Sequence, residues 1–388
     1  MKTIYFKTED LTVGYQGVPL IGGIEIPLEK GEILTLIGPN GAGKSTILKT
    51  ITGQLAPLGG SVFVDGRKFL ETDRRERAKQ MGIVLTDRIR TEYMTCYDVV
   101  ALGRYPYTGS FGVLSEKDHK IVQHVMEQVR VTELAEQDFA RISDGQRQRV
   151  MLARALAGEP EILILDEPTS YLDIRYKLEF LSILQDMAKK QGLTVILSLH
   201  ELDLAERIAD RVLCVADGKI DRFGRPWEIF EEGYVTKLYQ IRDGFYEERT
   251  GIVELKKPQG EPEVFVLGGG GSGIRLYRQL QRRQIAFAAG IFSCCDLDYP
   301  TAHALAHTLI ESVPYELPQE TQIRQAKEQI DRCRQVFAPA VSGSDDTGSS
   351  IRVSPEWQDI RKELIGYARN CGKYREWDMQ TGQQTYSR

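Results

Sequence analysis

The run Gly38-Pro39-Asn40-Gly41-Ala42-Gly43-Lys44-Ser45, followed by Thr46, matches the spacing G-x-x-x-x-G-K-[ST]. Residues of these types at this spacing suit one chemistry, the holding of a chain of phosphates. Glycines let successive N–H groups turn inward, and the start of a helix adds positive potential. Lys44 then reaches the terminal phosphates and Ser45 offers its hydroxyl to Mg²⁺. A second constellation is Ile162-Leu163-Ile164-Leu165-Asp166-Glu167, four apolar residues that end in two carboxylates. At the edge of a buried strand, Asp166 suits Mg²⁺ coordination and Glu167 suits polarising a water as general base. Between them, Ile142-Ser143-Asp144-Gly145-Gln146 precedes a helical run, so Ser143 is a helix cap whose surroundings also attract anions.

The elements that must position these groups are legible around them. Residues 1–36 alternate apolar and polar positions with turns at Gln16-Gly17 and Gly22-Gly23, leading into the apolar run Ile33-Leu34-Thr35-Leu36-Ile37. A helix is expected over 44–52 and a strand over 61–64, with a mainly helical, charged stretch from 74 to 131. The runs 161–166 and 193–198 read as strands covered on both faces of a largely parallel sheet.

The motifs from Gly38 to Glu167 resemble those of ATP-binding cassette ATPases, whose signature is usually Leu-Ser-Gly-Gly-Gln where this chain has Ile142-Ser143-Asp144-Gly145-Gln146. The resemblance covers about residues 3–245. It implies an α/β phosphate-loop ATPase fold with a helical subdomain at about 88–160, using ATP and Mg²⁺. It also implies that Ser143, Gly145 and Gln146 contact nucleotide held by another subunit and that Tyr15 stacks on adenine. Asp173 becomes the acid of the loop joining two sites, and His200 the residue that meets the γ-phosphate. Two positions depart from the family pattern. Asp144 replaces a glycine, placing a carboxylate near phosphate, and Asp87 stands where a glutamine is usual.

One phosphate loop and one signature, with no long helical insertion between them, imply a single cassette that works as a homodimer. The stretches 98–107 and 169–174 are similar to the ATPases of bacterial iron(III)-siderophore, haem and cobalamin importers. That likeness implies polytopic permease subunits as partners, a substrate-binding protein acting indirectly, and a place on the cytoplasmic face of the cell membrane. The alternative is a soluble regulatory ATPase whose second domain senses a ligand.

The text changes character near 248–260, dividing the chain into residues 1–250 and 251–388. The second part opens with a strand, the glycine run Gly268-Gly269-Gly270-Gly271-Ser272-Gly273, a helix over 274–283 and a strand over 285–291. Gly268, Gly270 and Gly273 spell G-x-G-x-x-G, so a smaller Rossmann-like α/β domain is expected. The acid wanted about 20 residues on is misplaced, because Asp296 and Asp298 come after Ser293-Cys294-Cys295. Dinucleotide binding, the sensing of an unidentified anion or nucleotide, and a purely structural turn all remain open.

Composition narrows the classes. Lys plus Arg number 50 and Asp plus Glu 55, so 50 − 55 = −5, which leaves no global positive field for nucleic acid. Residues 251–388 carry 17 basic and 17 acidic side chains, leaving the whole excess in the first part. The six cysteines form no C-x-x-C and read as buried free thiols. No apolar run reaches the roughly 20 residues that span a bilayer. Residues 342–350, rich in Ser, Gly and Asp, read as a flexible loop.

Overall fold

Alternation at the amino terminus becomes a hairpin of β1 (Ile4–Tyr15) and β2 (Val18–Glu29). Its turn residues Gln16 and Gly17 have φ of +50° and +80°, the pair of signs that matches the twist of tight hairpins. The computed structural model describes residues 3–85, 93–109, 112–339, 355–377 and 384–385. Asp87 and the 342–350 loop lie outside them. Two compact units emerge, Met1–Glu231 and Glu232–Arg388.

In the first unit, β3 (Ile33–Ile37) is buried along its whole length and leads through the glycine loop into α1 (Lys44–Ile51). Then come β4 (Gly59–Val64), β5 (Arg67–Lys68), α2 (Arg74–Gln80) and β6 (Met81–Val84). The stretch expected to be mainly helical thus hides a short strand, whose four residues are too few to show a period of their own. The helical subdomain holds α3 (Cys96–Ala101), α4 (Glu116–Gln128) and α5 (Asp144–Ala157), each opened by a reciprocal cap: Thr95 with Asp98, Ser115 with Asp118, and Ser143 with Gln146. The unit closes with β7 (Ile162–Leu165), α6 (Ile174–Gln191), β8 (Thr194–Ser198), α7 (Leu202–Ile208), β9 (Arg211–Ala216), β10 (Lys219–Gly224) and α8 (Pro226–Ile229).

Two sheets organise it. One is antiparallel, in the order β2-β1-β4-β5; the other runs β10-β9-β3-β8-β7-β6 and is parallel except for the edge strand β10. Ile47 and Leu48 of α1 pack in one core with Phe6, Ile164, Ile196 and Leu213. The carboxyl ends of β3, β7 and β8 therefore come to a common edge beside α1.

The second unit begins with α9 (Tyr234–Leu238) and a hairpin of β11 (Gly244–Glu247) and β12 (Ile252–Leu255). The sequence boundary at 250/251 falls in the turn of this hairpin. Glu254 of β12 receives Arg278 at 2.6 Å, which fastens the hairpin to the helix α10 (Ile274–Arg282). The remaining elements are β13 (Val264–Val266) before α10, then β14 (Phe287–Phe292), α11 (Tyr299–Leu305), β15 (Thr308–Glu311), α12 (Glu320–Arg332), β16 (Gln335–Phe337), α13 (Pro355–Asn370), β17 (Tyr374–Trp377) and β18 (Gln384–Thr385). Their sheet order is β15-β14-β13-β16-β17-β18, parallel up to β17. Counted along the chain, the first five strands lie 3-2-1-4-5, and the order reverses where β13 meets β16, the position at which open α/β sheets form a crevice.

Cys96, Cys214 and Cys333 are buried, but Cys294 is only half-buried, and Cys295 and Cys371 are exposed. The expectation of six buried thiols is corrected for these three, which follow the ends of β14 and α13 rather than facing a core. No helix among the described residues is long and apolar enough to cross a membrane.

Arg104 ties the helical subdomain together. Its side chain is 2% exposed and reaches Asp118 (2.8 Å), Glu159 (2.8 Å) and the carbonyl of Ala157 (2.7 Å). The Asp118 carboxyl is held down to about 2, first by the Ser115 hydroxyl and then by the Ser115 N–H and Arg104, against the opposing effect of burial. A depressed carboxylate stabilises the fold above its unfolded value near 4 and loses that contribution as pH falls through the folded value. The difference in urea stability between the wild type and Asp118→Asn is therefore expected to be level from pH 7 to 5 and to shrink between about pH 4 and 2. Arg104→Leu, which strands a buried carboxylate, is expected to cost about 3–5 kcal/mol in the same assay at pH 7.

Candidate functional site

The glycine loop of the first unit is shaped by close approach. Gly38 has φ +144°, and a methyl group added there would lie 3.0 Å from the carbonyl carbon of Val215, so only glycine fits. Asn40 and Gly41 form the exposed crown of the loop, and the Ala42 N–H donates to the carbonyl of Pro39 at 3.2 Å. Gly43, with φ +106°, opens α1. Lys44 is 5% exposed, and its ammonium donates to the carbonyls of Gly38 (2.6 Å) and Pro39 (3.0 Å). Burial lowers its pKa, while the charges of Glu167 and Asp166 act in the opposite direction. Ser45 donates to Asp166 Oδ1 at 3.1 Å, and Thr46 donates to the hydroxyl of Tyr15 at 3.2 Å. Tyr15 remains 49% exposed beside the loop.

Asp166 and Glu167 follow β7, and Glu167 takes the left-handed backbone, φ +48°. Its N–H donates to Ser198 Oγ at 2.8 Å, while that hydroxyl donates to Asp166 Oδ1 at 2.7 Å. Ser198 is thus a bridge between the two acids. It was not singled out from sequence; the signal was a hydroxyl closing the apolar run Val195-Ile196-Leu197. The other face of Glu167 meets His200 Nε2 at 2.6 Å and the Ser170 hydroxyl at 3.3 Å. The structure accordingly brings together the loop, Tyr15, Lys44, Ser45, Asp166, Glu167 and His200.

The remaining expected residues occupy other places. Ser143 is exposed at the start of α5, where it accepts from the Gln146 N–H at 3.3 Å and donates to Gln146 Oε1 at 3.1 Å. Asp144 is drawn to Arg147 at 3.1 Å. Gly145 is buried, with Leu172 and Tyr176 3.4–3.5 Å from where its methyl would be. Asp173 caps α6, accepting from the Tyr176 N–H at 3.0 Å. The Ser45 hydroxyl and the Asp166 carboxylate are hard oxygen donors within one hydrogen bond of each other, a set that fits Mg²⁺.

In the second unit the glycine loop also stands at the carboxyl end of a first strand. Gly269, Gly270 and Gly271 have φ of +134°, +61° and +86°, a left-handed stretch that side-chain-bearing residues rarely adopt. Its N–H groups converge as expected, and the acceptors are the chain's own carboxylates. Asp298 takes Gly269 at 2.5 Å and Gly273 at 3.0 Å, and Asp296 takes Gly270 at 3.1 Å. The two acids that seemed misplaced for a ribose are thus seated where an anion was expected. Asp298 is wholly buried, which pushes its pKa up to about 6 against the pull of those N–H groups.

A family model described as ABC transporter matches residues 21–170. An uncharacterized ABC transporter ATP-binding protein of Methanocaldococcus jannaschii is 42% identical over 285 residues, covering 73% of this chain and 98% of that protein. An iron(3+)-hydroxamate import ATP-binding protein of Bacillus subtilis is 36% identical, covering 61% of this chain and 87% of that protein. Among solved structures, the dimeric ATP-binding cassette MJ0796, in a post-hydrolysis state with ADP and Pi, superposes with a TM-score of 0.51 at 26% identity, covering 57% of this chain and 98% of that one.

Ser198→Ala removes both bonds of the bridge and leaves the Glu167 N–H without its acceptor. A loss of about 1–3 kcal/mol in denaturant stability is expected, with ATP turnover falling more than ATP affinity. For Asp298 the sign is opposite to that of Asp118. A raised carboxyl pKa contributes stability that is complete below about 3.8 and is lost as pH rises through about 6. Amide exchange at Gly269 and Gly273 is expected to show stronger protection at pH 5 than at pH 7 after correction for intrinsic rates, a difference that Asp298→Asn removes.

Proposed function

The chain belongs to the ABC transporter family as an ATP-binding, ATP-hydrolysing subunit, and from that premise we propose that it powers import of a metal chelate of the iron-siderophore, haem or cobalamin kind. The observation that carries the ATPase chemistry is the meeting of Lys44, Asp166, Glu167 and His200 at one sheet edge. Support for the cargo is the name of the Bacillus relative and the likeness of residues 98–107 and 169–174 to importers of that group.

In this reading Lys44 exchanges its two carbonyl acceptors for phosphate oxygens, and the inward N–H groups of the loop and of α1 take the rest. Tyr15 lies flat against the adenine. Ser45 and Asp166 would hold Mg²⁺, which would neutralise phosphate charge when bound. Glu167 accepts the proton of the attacking water, its carboxylate kept in place by Ser170 and by His200, which is within reach of the γ-phosphate. Ser143, Gly145 and Gln146 complete the site of a second copy, with Asp173 in the loop between the two sites. Asp144 points its charge at Arg147, which moderates repulsion of the incoming phosphate. Closure of the homodimer on two ATP molecules then moves polytopic permease subunits at the cytoplasmic face of the membrane, and a substrate-binding protein delivers the cargo to them.

Glu167→Gln is expected to retain ATP and accumulate as a dimer while turnover falls about 10²-fold or more, whereas Lys44→Ala is expected to weaken ATP binding itself. Nucleotide retention, light scattering and phosphate release check this, and near-normal turnover in Glu167→Gln would remove Glu167 from the base role.

A further inference from the structure

The turn that follows β14, from Ser293 to Asp298, carries two chemistries. Its acids hold the glycine loop: Asp296 meets the Gly270 N–H with both oxygens at 3.1 Å, and Asp298 meets Gly269 and Gly273. Immediately before them stand two free thiols, Cys294, half-buried, and Cys295, exposed. In a strand, adjacent side chains point to opposite faces and such a pair could not meet. Here the residues form a turn, closed by the Asp296 N–H on the Ser293 carbonyl at 3.0 Å and by the Cys295 N–H on Ser293 Oγ at 3.3 Å. Both thiols lie near one group, the Tyr315 hydroxyl, which hydrogen-bonds with Cys295. Tyr315 is itself 95% exposed, so this corner is open to small molecules in solution.

The other thiols of this unit are out of reach. β13, β14, β16 and β17 run parallel. Cys294 and Cys295 follow the carboxyl end of β14, whereas Cys333 and Cys371 precede β16 and β17 at the opposite edge of the sheet. Cys333 is also buried, and Cys371 donates to Asp331 at 3.9 Å. Each thiol of the turn therefore has the other as its near partner within the unit. Consecutive Cα atoms stand about 3.8 Å apart, closer than the roughly 4.4–6.8 Å that an unstrained disulfide spans, so a bond between them is strained and easily reduced. Strained, exposed disulfides are the labile ones that follow redox conditions.

We propose that Cys294 and Cys295 are a redox-sensing pair, joined reversibly by a small-molecule disulfide of the glutathione class, and that their bond releases Asp296 from the Gly270 N–H. The exposed Cys295 thiolate attacks one sulfur of the small disulfide, forming a mixed disulfide and expelling one thiolate. The Cys294 thiolate then attacks Cys295 Sγ and expels the second. Two protein thiols are oxidised, one disulfide is reduced to two thiols, and the two protons leave on those thiols. Closing the ring through the shared peptide twists that peptide, and the turn bonds through Ser293 cannot all persist. Asp296 is the next residue and is carried with the twist, whereas Asp298 is anchored, wholly buried, at the head of α11. The loop that is closed from within in the reduced chain then offers a free N–H at Gly270.

The test uses the full chain, reduced and then equilibrated in glutathione buffers of rising disulfide content, with peptide mass spectrometry and amide exchange as readouts. The wild type is expected to lose two hydrogens within the peptide that holds both cysteines and to regain them with dithiothreitol. Exchange at Gly270 is expected to speed about five- to tenfold on oxidation, the loss of about one hydrogen bond, while Gly273 stays within about twofold. Cys294→Ser and Cys295→Ser are expected to take up glutathione at the remaining thiol of the turn and to leave Gly270 exchange unchanged, and Cys371→Ser to behave as the wild type. Mixed disulfides alone in the wild type, or a bond from the turn to Cys371 or to a second copy, overturns the redox pair. An oxidised pair with unchanged exchange at Gly270 overturns the release of Asp296. Equal acceleration in Cys294→Ser carrying glutathione assigns the effect to added bulk and overturns the release as well.

Discussion

The first unit turns on the position of one buried cation. Lys44 lies in the glycine loop against two carbonyls, with Asp166 and Glu167 near enough for their charges to act on it. One positive charge faces two negative ones at the edge of a low-dielectric sheet, where such charges act strongly. This imbalance suits the all-oxygen pair of Ser45 and Asp166 to a divalent cation, which with Lys44 offsets the charge of incoming phosphates. The sheet exists, in this sense, to hold three strand ends in register: β3 delivers the loop, β7 the acids and β8 the Ser198 hydroxyl that joins them.

The second unit solves the same geometric problem with the opposite outcome. Its glycine loop also points N–H groups into one space, but Asp298 and Asp296 fill that space from within. An external anion would have to displace a carboxylate that already has its donors. That weighs towards the structural reading of Gly268, Gly270 and Gly273, in which the loop is pinned to the start of α11. Two glycine runs that look alike in sequence thus differ by whether a distant acid reaches them.

This difference marks what sequence reading can and cannot reach. The phosphate loop, the acids at 166 and 167 and the apolar runs of β3, β7 and β8 were legible because their chemistry lies in contiguous residues. The β14 turn that carries Asp298 back under the loop was not, since it depends on a fold some 25 residues long. Ser198 was missed for a related reason: its hydroxyl matters only because β8 lies beside β7.

The exposed start of α5 shows how one local structure can serve a chain alone and in a pair. Ser143 and Gln146 satisfy each other through bonds of 2.9–3.3 Å, and so the helix is capped in the single chain. The other N–H groups of the first turn still lack helical acceptors, as in any helix. An anion presented by a second copy would meet those groups without dismantling α5, because the cap is reciprocal and its remaining half survives. Asp144 is the one group there that opposes such an approach. Its pairing with Arg147, one turn along the same helix, lets the helix tolerate a carboxylate at a position where phosphate would otherwise be repelled.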